Sequence, residues 1–248
     1  MAGSVGFALG ILFLTLAVIV LSRASQRRLT PDPEGGAILA DHYRIEATEL
    51  YLNVIVSQAL VAAAIFALVW ATAVPWAILG TIVTDQVIFH VGVGISLGIA
   101  LYVANEASVL VLDRFGIEYS EALRGALAPS SIVGWAILLG VVLPVIAASE
   151  ELLFRAALIG GVEASLGLSP WTLVIVSSVF FAVGHGIQGA GGVLVTGALG
   201  IVLGIAFVIS NSLLLVIVAH YVVNALEFVV HEGIGISITE SETPDTPS

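Results

Sequence analysis

Apolar runs about as long as a bilayer is thick recur along this chain, and no other feature limits its fold as strongly. A transmembrane helix needs about 20 mostly apolar residues, and runs near that length are read at 5–21, 51–73, 87–110, 132–158, 171–183, 193–209 and 213–230. The 248 residues are 59% hydrophobic and 10% charged, where a soluble domain carries about a quarter charged residues. The expectation is an all-α polytopic transmembrane helical bundle of about seven spans, set in a cell membrane as a multi-pass protein. The first run is followed by Arg23, Arg27 and Arg28 with no positive charge before it, the reverse of a signal peptide, so a retained helix is expected.

Breaks between the runs come from turn chemistry. Residues 30–36 (TPDPEGG) read as a loop, 41–49 as a polar interfacial segment, and Pro75 ends the second run. Residues 76–112 exceed one span and fall short of two; a short interfacial stretch followed by one span is expected, with Asp85, His90 and Glu106 in or beside it. The arginine bias makes 113–129 a cytoplasmic loop. The organisation expected is N-terminal helices and loops over 1–130, a functional core over 131–231, and an acidic disordered tail over 232–248.

Charge and cysteine content exclude several classes. Net charge is −11, every basic residue is an arginine, and acidic residues crowd the tail at Glu232, Glu240, Glu242 and Asp245. Nucleic acid selects basic faces, so it is not an expected partner. The lysine-free acidic bias resembles that of proteins from salt-loving microbes. The absence of cysteine removes disulfides, thiolate metal sites and a cysteine nucleophile.

Three polar clusters interrupt the apolar second half: Glu150-Glu151-LLF-Arg155, Phe181-AVG-His185 and His220-YVV-Asn224. Ionisable groups inside a span are costly and point to function. On a helix Glu151 and Arg155 share a face, which suits an ion pair. Glu150 is turned about 100° away and is left to act on a water. Phe181 lies one turn before His185 and packs in the core. His220 and Asn224 share a face and have the donors to hold an oxyanion. Glu227 falls on the same stripe and reads as a mark of the membrane surface. Each cluster alone also suits a polar clamp between helices; together they look like a buried hydrolytic site. HExxH is absent, and a hydrolase elbow is not expected. Gly184-His-Gly186-IQ-Gly189 matches GxGxxG but lacks a βαβ setting, so a tight turn is expected there. Gly200 and Gly204 read as a close-packing pair.

At these clusters the chain resembles the CPBP family of intramembrane proteases, which includes the CAAX prenyl endopeptidases and the Abi bacteriocin-immunity proteins. The resemblance runs from about residue 132 to 230. It implies an endopeptidase in which Glu150 and His185 activate a water, His220 and Asn224 stabilise the oxyanion, and Glu151 and Arg155 support the site. Zinc held by Glu150, His185 and His220 is one form of that chemistry, and a metal-free water is the other. The partners implied are membrane lipid and a peptide or protein substrate in the membrane, with prenylated CAAX-type substrates among the candidates. A non-catalytic scaffold or immunity protein on the same fold is the alternative, and a transporter using the polar residues as a relay is the third reading.

Overall fold

The computed structural model describes residues 2–29, 47–80, 86–117 and 119–236. All regular elements among them are helices. They are α1 (Ala2–Leu29), α2 (Ala47–Thr72), α3 (Val87–Arg114), the short α4 (Ala122–Leu127), α5 (Ile132–Leu166), α6 (Pro170–Gly184), α7 (Gly189–Ser210) and α8 (Leu213–Ile234). Six are long and apolar enough to cross a membrane, and α6, at 15 residues, is shorter than a usual span. This is the multi-pass all-α bundle expected. The loop at 30–36, most of the polar segment 41–49, Asp85 and the tail beyond 236 lie outside the described residues.

Local chemistry sets the helix ends. Pro75 follows α2, and a single turn of 3-10 helix, Trp76–Leu79, stands where the short interfacial stretch is expected. The Ser131 hydroxyl accepts from Gly134 N at 3.1 Å to start α5, and Ser212 accepts from Leu215 N at 3.2 Å to start α8. Gly167, at φ 69°, ends α5, and Pro170 opens α6 at a position where its missing N–H costs nothing. The turn expected at the glycine-rich stretch is the 3-10 turn Gly186–Gln188 between α6 and α7.

Helix α5 is the axis of the bundle. Its segment Leu152–Ile159 is wholly buried, against Phe7 and Ile11 of α1, Ile65 and Val69 of α2, Leu173 and Val174 of α6, Leu203 of α7 and Val216 of α8. It runs eight residues past the end expected from sequence and is not uniform. A π-helical turn at Leu138–Val142 precedes Pro144, whose ring and missing N–H disturb a regular α ladder. A second π-helical stretch, Leu152–Gly161, starts directly after the acidic pair.

Helix association in lipid depends on close packing rather than on burial of apolar area. Gly200 and Gly204 of α7 meet Ser178 and Val174 of α6, as the small-residue spacing implies. A second seam lies between α3 and α8. A side chain at Gly94 would come 2.7 Å from Leu215 O, and one at Gly98 would come 2.7 Å from Ala219 O. Large apolar residues such as Leu52, Leu60 and Trp70 of α2 point outward and are exposed, as lipid-facing residues are.

One boundary moves. Helix α8 continues to Ile234, past the 231/232 division drawn from sequence. Glu232, assigned there to the tail, is helical and pairs with Arg124 at 3.0 Å.

Candidate active site

Three helices bring five of the six expected residues together. Arg155 Nη1 lies 3.1 Å from Glu151 Oε1, one turn apart on α5, and both side chains are buried, at 1% and 0% exposure. The same Oε1 is 2.7 Å from His220 Nδ1 of α8. Arg155 Nη2 donates to Gly200 O at 3.3 Å, and its guanidinium carbon sits 4.5 Å from the Phe181 ring centroid. Arg155 Nη1, despite its approach to Oε1, lacks hydrogen-bond geometry, so that contact is one of charge.

Glu150 faces elsewhere, as the helical period requires. Its Oε2 lies 3.9 Å from His185 Nε2 and 3.8 Å from His220 Nε2. Both distances exceed hydrogen-bond reach. Among the described residues this buried Oε2 has no hydrogen-bond partner. The Glu150 and His185 side chains are 17% and 28% exposed, so the edge of the site they form is the accessible one, while Glu151 and Arg155 lie behind it.

The two histidines are held from behind. His185 follows the last turn of α6, and its Nδ1 meets Phe181 O at 2.8 Å. With Nδ1 donating to that carbonyl, Nε2 of a neutral ring turns a lone pair toward Glu150. For His220, with Glu151 ionised against Arg155, Nδ1–H donates to Oε1 and Nε2 likewise faces Glu150. Asn224 stands one turn beyond His220 and is half-buried. Among the described residues no hydrogen bond joins its amide to the other five.

Tetrahedral zinc binds N and O atoms at about 2.0–2.2 Å, which sets ligand atoms about 3.4 Å apart. Glu150 Oε2 is 3.8 and 3.9 Å from the two Nε2 atoms. Among the described residues the group whose ligand atoms all lie within 4.8 Å of one another is a different one, Glu106, Glu227 and His231. The donor types at Glu150 suit zinc; the spacing as it stands suits a bridging water better.

The Glu106 group belongs to a second polar cluster that the sequence does not reveal. Arg124 of α4 pairs with Glu227 at 2.9 Å, Glu232 at 3.0 Å and Glu121 at 2.5 Å. Asn105 of α3 donates to Glu227, and His231 Nε2 lies 2.9 Å from Glu106 Oε1. Arg124 thus already supplies a cation to the Glu227 carboxylate of this group. Burial lowers the affinity of that guanidinium for its proton, but the hydrogen bonds to Glu232 and Glu121 outweigh this and raise its pKa above the ordinary value. Tyr119, beside the cluster, is pushed up to about 12, first by burial and then by the Glu227 charge. Glu227, read from sequence as a surface mark, is largely buried in these contacts. Another polar link absent from the sequence reading joins Ser149 to Gln58 of α2 next to the acidic pair. A glutamine within a span is itself a signal of such a partner.

One string escapes the sequence reading. Gly94-Ile-Ser96-Leu-Gly98 has the G-x-S-x-G spacing of a hydrolase elbow. It lies within α3 on no strand-to-helix turn, and Ser96 Oγ donates to Gly92 O of its own helix at 2.9 Å. The two glycines serve the seam with α8.

No curated protein and no solved structure matches the chain. Residues 130–226, less than half of it, match the family model described as type II CAAX prenyl endopeptidase Rce1-like. That segment contains Glu150, Glu151, Arg155, His185, His220 and Asn224, so all six expected site residues lie in the part of the chain that is similar to CPBP/CAAX proteases.

Proposed function

We propose that the protein is an intramembrane endopeptidase that hydrolyses peptide bonds of membrane-associated substrates with a water activated by Glu150 and His185. The observation that carries this reading is the buried, unpartnered Oε2 of Glu150 facing two imidazole nitrogens at 3.8 and 3.9 Å. Separations of this size are those that one water bonded to both sides would span. Glu150 takes a proton from that water as the oxygen attacks the carbonyl carbon, and the proton then passes to the leaving nitrogen. His185 Nε2 orients the water from its other side.

His220 and Asn224 receive the oxyanion in this reading. Nε2 of His220 carries a proton to donate only when the ring is an imidazolium, because Nδ1–H is committed to Glu151. Asn224 supplies an amide donor from the next turn. Glu151 and Arg155 do not touch the water; they fix the His220 ring. The segment that resembles CAAX prenyl endopeptidases makes prenylated, CAAX-type proteins the first substrates to try.

The test is the set of new peptide termini in host membranes with wild-type protein and with Glu150→Gln at equal abundance. Termini present with the wild type and lost in the variant support proteolysis and name the substrates. Identical termini, with both proteins folded in the membrane, overturn it in favour of a non-catalytic scaffold.

A further inference from the structure

One aromatic ring touches the arginine and both histidines of the site. Phe181 is 1% exposed. Its centroid lies 4.5 Å from the Arg155 guanidinium carbon, 4.5 Å from the His185 ring, and 5.9 Å from the His220 ring, which it meets edge to face at 89°. Phe154 closes its remaining side at 5.1 Å. Among the described residues Arg155 is short of directional partners: it makes one hydrogen bond, to Gly200 O, and its Nη1 makes none. A guanidinium has five donors in a fixed fork. One bond and one charge contact leave its plane undetermined unless something broad lies against it, and a π face attracts a cation and fixes a plane at once.

The Gly200 carbonyl is the second arm. A Cβ at Gly200 would come 3.2 Å from Ser178 Cβ and 3.3 Å from Ser178 Cα, so the bare backbone is what lets α7 come close enough to α6 to present that oxygen.

We infer that Phe181 and the Gly200 carbonyl form a cradle for Arg155 and are positioning groups: through Arg155 and Glu151 they set the His220 ring. The inference rests on the endopeptidase reading for its catalytic consequence, while the cradle itself has a test that needs no activity.

Turnover is measured with the full chain in lipid vesicles and a quenched-fluorescent farnesylated CAAX peptide as probe, for wild type, Phe181→Leu, Arg155→Met and the double variant. Leucine keeps an apolar filling and removes the ring. The expected result is a loss of about 10- to 100-fold in kcat for Phe181→Leu with KM within about 2-fold, the size of effect that misplacing a catalytic group produces. The double variant falls no further than Arg155→Met, because the ring acts through the arginine. Unchanged kcat, a loss carried by KM, or losses that multiply would overturn the inference. If the wild type leaves this probe uncut, the substrate assignment is what fails, and proton NMR of the His220 Nδ1–H decides the cradle. Its exchange with water is expected to quicken at least about 10-fold in Phe181→Leu, because a hydrogen bond that is no longer held opens more often. Unchanged exchange in a folded variant refutes the cradle. Should Phe181→Leu fail to fold, Gly200→Ala, which moves only the carbonyl arm, is held to the same exchange criterion.

Discussion

Glu150 and Glu151 are identical neighbours in different surroundings, and replacing each by glutamine separates them. Glu151→Gln leaves Arg155, at 1% exposure, without the counter-charge in contact with it, Glu150 acting only from farther away. At the observed 3.1 Å and an effective dielectric of about 20, the lost attraction is about 5 kcal/mol. Broken buried pairs cost about 3–5 kcal/mol. The glutamine oxygen still accepts from His220, so the charge term dominates. Glu150→Gln removes the same formal charge from an oxygen that has no hydrogen bond and whose nearest cationic candidates are 3.8 and 3.9 Å away. Its effect on stability is expected to stay within about 1 kcal/mol, while turnover is lost. The assay is reversible unfolding of purified protein in mixed detergent micelles, followed by circular dichroism. Adding Arg155→Met to Glu151→Gln removes the stranded charge and is expected to recover most of the loss. Equal destabilisation by the two glutamines, or a larger cost at Glu150, would refute the division between a supporting and a reacting carboxylate.

Two further outcomes follow from geometry outside the site. Gly98→Ala places a methyl 2.6 Å from Val222 Cβ and 2.7 Å from Ala219 O, one residue before His220, so the same unfolding assay should report a loss of about 1–3 kcal/mol, with turnover reduced; an unchanged protein would mean that the seam is looser than described. Tyr119 keeps its proton up to about 12 when folded and 10.0 as the ordinary value, so its contribution is intact below pH 10 and lost as pH rises through about 12, by at most about 3 kcal/mol; Tyr119→Phe should flatten that alkaline limb in a stability–pH profile, and an identical limb would place the cause elsewhere.

The bundle was legible because lipid permits little else: apolar runs give helices, and Pro75 ends one of them, while the stop at Gly167 and the start at Pro170 were not read. The Glu151–Arg155 pair was legible because both ends lie within one turn. The bond from Glu151 to His220 was not, since the partners are 69 residues apart and no helical period links them. The contacts of Glu227 were hidden for the same reason: its position on the α8 stripe is readable, but its partners Asn105 and Arg124 come from α3 and α4. The π-helical stretch after Glu151 left no pattern in a segment that is buried all round, because periodicity needs a polar face to show itself. The Gly94–Gly98 seam was hidden inside a run read only for its length.

That seam also bears on traffic. If the protein is the endopeptidase proposed above, a substrate lying in the bilayer has to pass between two helices to reach Glu150. Where α3 and α8 meet, the glycines bring the carbonyls of Leu215 and Ala219 against the opposing backbone. Parting these helices would strip tight packing from the very turn that carries His220 and open a gap for which lipid chains offer no equivalent fit. On the endopeptidase reading, the wall formed by α3 and α8 is expected to stay closed, and lateral entry to use another face of the bundle.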